Sequence, residues 1–245
     1  MPADLCIFCF EEHPLTREHL VSKPIERAFR LDGESTVAEL EYPPTDPGDP
    51  EIRLVQLRDM KVRIACRACN NGWMANLEEA AASAIEAWLR DGRLCASGCE
   101  TISRWLATRL LVWTVRGGRL RDLEQAIGDG DPSVIPHFDR AKRLAAGADD
   151  AIDGLAVGAA RSDEGVGYGF GNARTFPNGI RKPFTGVLAL NFPPLQLWVA
   201  DALSPAEVRL PNGVTELRDG LRLLNLRRRG GDLSPDQAQV TFAGF

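Results

Sequence analysis

Four of the six cysteines stand in two Cys-x-x-Cys pairs, Cys6/Cys9 and Cys66/Cys69. In each pair a tight turn lets two thiolates reach one ion from adjacent positions. Two such turns supply the four soft ligands of tetrahedral Zn2+. Four protein thiolates leave no coordination position for water, so this zinc would hold the fold and do no chemistry. Cys95 and Cys99 lack partner ligands nearby in sequence and read as free buried thiols. Between and beside the pairs lie groups of another kind. Glu18-His19 follows the first pair in LTREHLVSKPIERAF, and Asn70-Asn71 follows the last cysteine in CNNGWMANLE.

The order Cys-x-x-Cys, acid-His, an insert, and Cys-x-x-Cys followed at once by Asn resembles the zinc-bearing HNH endonucleases, also called the ββα-metal or His-Me finger family. The resemblance covers about residues 5–80. It implies a zinc-stapled, treble-clef-like ββα module in which His19 is the general base that activates water. Glu18 and Asn70 would hold a catalytic divalent ion, Mg2+ or Mn2+, separate from the structural zinc on Cys6, Cys9, Cys66 and Cys69. The family's middle Asn, which orients the catalytic His, has no obvious counterpart in EIRLVQLRDMKVRIAC; Gln56 is one stand-in. The residue types suit phosphodiester hydrolysis on their own account. That reaction needs a base that titrates near neutrality, which imidazole provides, and a hard cation to offset phosphate charge. Mg2+ keeps several waters and takes only one or two protein oxygens, such as a carboxylate and an amide carbonyl.

Competing assignments exist for each residue. Asn70 also suits the N-cap of the helix that follows, and Asn71-Gly72 suits a turn leading into it. His13, in an EEHP turn, is expected to be exposed, and His137 is given no role. The five tryptophans are expected in the core rather than on a base-stacking surface. For phosphate contact the candidates are Arg17, Lys23, Arg27 and Arg30. A helix over 23–30 would put the last three on one face. Arg227, Arg228 and Arg229 form a second basic cluster.

The elements that must position these groups are legible in outline. Ser35–Tyr42 and Glu51–Ile64 alternate as strands do, around a Pro-, Gly- and Asp-rich loop over 31–50. Trp73, Leu77, Ala81, Ile85 and Trp88 recur at helical spacing, and Gly92 is the stop. A boundary falls near 92–98. The expected division is a module over 1–92 and an α+β domain over 93–245 that recognises a target, a protein partner or a ligand. In that second part ISRWLATRLLVWTV reads as an apolar helix, with further helices near Leu120–Ile127 and Ser133–Ala146. Strands follow at GLAVGAA, GVGYGFG, FTGVLALNF and LQLWVA, with Asn-Gly turns at 178–179 and 212–213, and QVTFAGF closes the chain.

Charge pulls the other way. The formal net charge is −5, and residues 1–92 carry 17 Asp+Glu against 10 Lys+Arg, whereas nucleic-acid binders are usually basic. No stretch approaches the ~20 apolar residues that span a bilayer, and MPADLCIFCF lacks the features of a secretion signal, so a cytoplasmic location without membrane contact is expected. The leading expectation is an endonuclease acting on nucleic acid, DNA ahead of RNA. Proteins of this family type are associated with phage, mobile elements and antiphage defence. The alternative is a catalytically inactive zinc-binding adaptor for nucleic acid or protein. A Cys-x-x-Cys thiol oxidoreductase fits poorly, since neither pair has a thioredoxin-like strand–helix context.

Overall fold

A computed structural model of the chain describes residues 4–31, 36–41, 51–116, 129, 135–161, 167–173, 185–201 and 215–216. The first turn of chemistry is also the first turn of structure. Strands β1 (Asp4–Leu5) and β2 (Glu12–His13) pair antiparallel and close the loop that carries Cys6 and Cys9. Inside it the Phe10 amide donates to the Cys6 carbonyl at 2.9 Å, and Phe10 takes a positive φ of 60°.

Strand β3 (Leu15–His19) runs on into helix α1 (Lys23–Ala28), whose first turn holds Pro24, where a missing amide hydrogen costs nothing. The hairpin insert is β4 (Thr36–Glu41) paired with β5 (Glu51–Gln56). Here the expected single strand over Glu51–Ile64 is corrected to two. A 3-10 turn at Leu57–Asp59 buries Leu57 and Met60 in the core and redirects the chain. After it, β6 (Lys61–Cys66) pairs antiparallel with β3, not with the insert. Leu15 stands opposite Cys66 and His19 opposite Lys61, with a register shift between Thr16 and Arg17. This register brings the two cysteine pairs to one end of the ladder and His19 to the other.

A single turn, α2 (Arg67–Cys69), leads through a widened turn at Asn70–Met74, where Gly72 has φ −96° and ψ −113°, into α3 (Ala75–Asp91). Ala81, Ala82, Ile85 and Trp88 form the buried stripe of α3, joined by one acid, Glu78. The helix stops where expected: Gly92 is left-handed at φ 67°, a conformation that glycine adopts without strain, and its amide donates to the Trp88 carbonyl at 2.8 Å.

Helix α4 (Ala96–Arg116) is buried nearly all round from Ile102 to Trp113, and it packs on α3, β6 and the C-terminal sheet. Its Trp105, Leu106, Leu110 and Trp113 are buried, and so is one charged residue, Arg109. Beyond α5 (Ile135–Ala145) come β7 (Leu155–Arg161), β8 (Gly167–Ala173), β9 (Thr185–Phe192), β10 (Leu195–Asp201) and β11 (Thr215–Glu216). They form one antiparallel sheet in the order β11-β7-β10-β9-β8. Leu188, Leu190 and Phe192 alternate into the core with Leu195, Leu197 and Val199, each burial stabilising by roughly 1.5–3 kcal/mol.

The architecture is therefore α+β with antiparallel sheets. One apolar cluster runs from Cys6 to Val199 without interruption at residue 92, because α4 lies between α3 and the sheet. Trp88, Trp105, Trp113 and Trp198 are buried, and Trp73 packs edge-on against Phe8 at 5.2 Å, as expected of core residues. No helix among the described residues is long and apolar enough to cross a membrane. The expected helix at Leu120–Ile127, both Asn-Gly turns, the strand QVTFAGF and the Arg227–Arg229 cluster lie outside the described residues.

Candidate metal centre and adjoining cavity

The Sγ atoms of Cys6, Cys9, Cys66 and Cys69 all lie within 4.8 Å of one another, and Cys9 Sγ stands 3.8 Å from Cys66 Sγ. A zinc–sulfur bond of about 2.3 Å in a tetrahedron sets neighbouring sulfurs about 3.8 Å apart, so the cluster has the dimensions that zinc requires and could bind it. Backbone amides already serve the sulfurs: Cys66 N–H donates to Cys6 Sγ at 3.3 Å and Cys69 N–H to Cys66 Sγ at 3.5 Å. Burial pushes the Cys6 thiol up, but the amides of Cys9, Cys66 and Phe8 together outweigh it and bring the thiol below its ordinary value. The neighbours move oppositely. Burial, with the adjacent sulfurs, raises Cys9 to about 11 and raises Cys69 further. One thiolate thus resists the ionisation of the others until a cation joins them. Cys95 is exposed and Cys99 buried, so the expectation of two buried thiols holds for Cys99 and is corrected for Cys95, whose place at the start of α4 leaves it in solvent.

Beside the cysteine cluster, β3, the start of α1 and the start of α3 enclose a cavity of about 340 Å³. Arg17, Glu18, His19, Ser22, Lys23 and Asn70 line it, with Asn71, Glu78 and Glu79 on the α3 side. The adjacent pair Glu18-His19 and the distant Asn70 therefore share one concavity.

The orientation of Asn70 follows from hydrogen-bond accounting. Thr16 Oγ1 donates its only proton to the Ala65 carbonyl at 2.9 Å, so toward Asn70 it can act only as an acceptor. Asn70 must present its amide nitrogen, Nδ2, at 2.9 Å. Its Oδ1 is then the atom turned away from Thr16, available to a cation. The expected capping role is not seen, because the side chain bonds back to β3 instead of to an α3 amide.

Glu18 is buried, and the carboxylate is held by Arg109: Nη1 of Arg109 stands 2.9 Å from Glu18 Oε1 and donates to the His19 carbonyl at 3.0 Å. Nη2 of the same guanidinium stands 3.1 Å from Glu78 Oε1. Burial holds the Glu78 carboxyl above the usual range, Arg109 opposes that shift, and Glu18 adds to it. His19 is half-buried, and burial, aided by Lys61, lowers its pKa below the ordinary 6.5, which favours the neutral imidazole. Its Nδ1 is buried and makes no hydrogen bond among the described residues. Gln56 sits on β5 opposite Thr36 and does not line the cavity.

The four basic candidates separate. Arg17 and Lys23 line the cavity, whereas Arg27 pairs with Glu79 at 3.3 Å on the surface. Arg30 lies beyond the end of α1 with a positive φ of 55°, so the single helical face expected over 23–30 is not formed. His13 pairs with Glu11 at 2.9 Å, and His137 is buried on α5. The residues that the sequence reading missed are Thr16, Glu78 and Arg109. The last two carried a signal: each is a charged residue at a position where helical periodicity demands an apolar one.

Comparison with protein-family models, with curated proteins and with solved structures finds no match for the chain.

Proposed function

We propose that the chain is a metal-dependent endonuclease of HNH type that hydrolyses phosphodiester bonds in nucleic acid, DNA ahead of RNA. The observation that carries this reading is the shared cavity of Glu18, His19 and Asn70 beside a four-cysteine cluster of zinc dimensions. The β3–β6 pair followed by α3 has the strand–strand–helix order that the family resemblance implies.

In this reading neutral His19 accepts a proton from water as the water attacks phosphorus. Glu18 and the oriented Oδ1 of Asn70 are the oxygen ligands for Mg2+ or Mn2+. A divalent ion there would offset the phosphate's negative charge and stabilise the leaving oxyanion. Arg17 and Lys23 grip flanking phosphates, which fixes register without reading sequence. The cysteine zinc stays outside the chemistry, and the C-terminal sheet is assigned to a target or a protein partner.

A second reading has its own support. Glu18 is already neutralised by Arg109, and Nδ1 of His19 has no orienting partner among the described residues. Both features suit an inactive zinc-binding adaptor. Plasmid incubated with the protein and Mg2+ or Mn2+ decides between them. Cleavage by the wild type that His19→Ala loses supports the nuclease; a wild type that leaves plasmid intact with either ion supports the adaptor.

A further inference from the structure

We propose that Arg109 of α4, braced by Glu78 of α3, is the positioning residue of this cavity, setting both the Glu18 carboxylate and the backbone at His19. The inference rests on the nuclease reading above and deepens it by adding the element that α4 contributes. Arg109 is 1% exposed, so its side chain has a single surrounding and few alternative rotamers. From that position Nη1 reaches two consecutive residues of β3, the side chain of Glu18 and the carbonyl of His19. A guanidinium is planar and presents its donors in a fixed fork. Two contacts to adjacent residues from one nitrogen therefore restrain the end of β3 in both position and twist. That is the point where the imidazole leaves the ladder.

Glu78 Oε1 faces Nη2 at 3.1 Å as a charge pair without hydrogen-bond geometry, which holds the guanidinium electrostatically, and Glu78 itself lines the cavity. A carboxylate has two oxygens. Arg109 takes Oε1 of Glu18, and a divalent ion held in the cavity would draw on the same carboxylate. Gln56 does not line the cavity, and the restraint on the end of β3 comes from Arg109 on α4. The cavity is then assembled from two sides of residue 92, and residues 5–80 alone would lack the part that holds Glu18 and His19 in place.

Arg109→Lys tests this, because lysine keeps the charge but gathers its donors on one atom, without the rigid planar fork that reaches Glu18, the His19 carbonyl and Glu78 from two nitrogens. Partners that orient metal ligands typically matter by about 10–100-fold. The full chain carrying Arg109→Lys should lose about that much in kcat for Mn2+-supported plasmid cleavage, while KM for DNA changes little, because Arg109 touches no substrate. Mn2+ affinity, measured by calorimetry on the full chain without DNA, should fall severalfold. Circular dichroism and the thermal midpoint report whether the variant is folded. Should it not fold, Glu78→Gln, which leaves the Arg109–Glu18 contact in place, should lower kcat by a smaller factor with the same unchanged KM. An active wild type with a folded Arg109→Lys of equal kcat and equal Mn2+ affinity overturns the positioning role alone. The same result for a folded Glu78→Gln, where Arg109→Lys is unfolded, does so too. A wild type that cleaves nothing with Mg2+ or Mn2+ overturns the nuclease reading and the positioning role with it.

Discussion

Replacing Arg109 with methionine keeps an apolar stem but removes the guanidinium, with its charge and its bond to the His19 carbonyl, leaving Glu18 and Glu78 buried without their shared cation. Breaking a buried pair from one side costs about 3–5 kcal/mol. The size here has an upper bound set by proton uptake. A carboxyl with an ordinary pKa of 4.5 can be neutralised at pH 7.5 for about 4 kcal/mol and at pH 5.5 for about 1.4 kcal/mol. Without Arg109 the upward push of burial on the Glu78 carboxyl loses its chief opposition, and Glu18 beside it loses the same counter-charge. Their neutral forms suit the fold, so stability is highest below about pH 4.5 and is lost as pH rises through the raised values. With two carboxyls orphaned this bound is about 8 kcal/mol at pH 7.5 and about 3 kcal/mol at pH 5.5, so Arg109→Met should be less stable than wild type by about 4 kcal/mol or more at pH 7.5 and by at most about 3 kcal/mol at pH 5.5. Urea titrations followed by tryptophan fluorescence at both pH values measure this directly, given four buried tryptophans. A deficit below about 1 kcal/mol at pH 7.5, or one that does not shrink on acidification, would refute the reasoning.

Further outcomes follow from the other groups. Elemental analysis should find one zinc per chain, and removing it with a strong chelator should melt the cysteine end of the molecule, since structural zinc contributes about 10–16 kcal/mol against a typical total of 5–15. Intact far-ultraviolet dichroism after zinc loss would contradict this. Thr16→Val deletes the acceptor that orients Asn70 and should weaken Mn2+ binding about 10-fold or more, as read by the concentration dependence of cleavage. His19, lowered by burial below 6.5, must be neutral to accept a proton. Cleavage should hold through neutral pH and fall as pH drops through a midpoint under 6.5, so a midpoint above 7 would remove His19 as the base. Arg17→Ala and Lys23→Ala should each weaken DNA binding on all sequences alike and reduce the salt slope by about 1.

Much of the candidate site was legible because it is local. A Cys-x-x-Cys turn, an acid-histidine pair and an asparagine directly after a cysteine are adjacent in sequence, and their residue types state their affinities without a fold. Helix α3 and its glycine stop were legible for the same reason, as were α4 and the four long strands of the C-terminal sheet: periodicity and turn residues act over a few positions. The strand before Lys23 was not legible. LTREH has no alternation to mark it as β3, and it is a strand because β6 supplies its hydrogen bonds. The split of Glu51–Ile64 was hidden too, because only the core decides that Leu57 and Met60 turn inward.

Sequence by itself determined that four thiols, a histidine, a carboxylate and an amide exist at spacings suited to two kinds of cation. Tertiary structure decided which of them meet. The β3–β6 register drew the cysteine pairs together across 57 residues, and a hydrogen-bond chain through Thr16 turned the Asn70 amide. Arg109 stands 91 residues from Glu18 in the chain and 2.9 Å from it in space. No local rule reaches that far. A buried charge must find an opposite charge, but which one it finds is settled only when α4 is pressed between α3 and the sheet by the burial of its tryptophans and leucines.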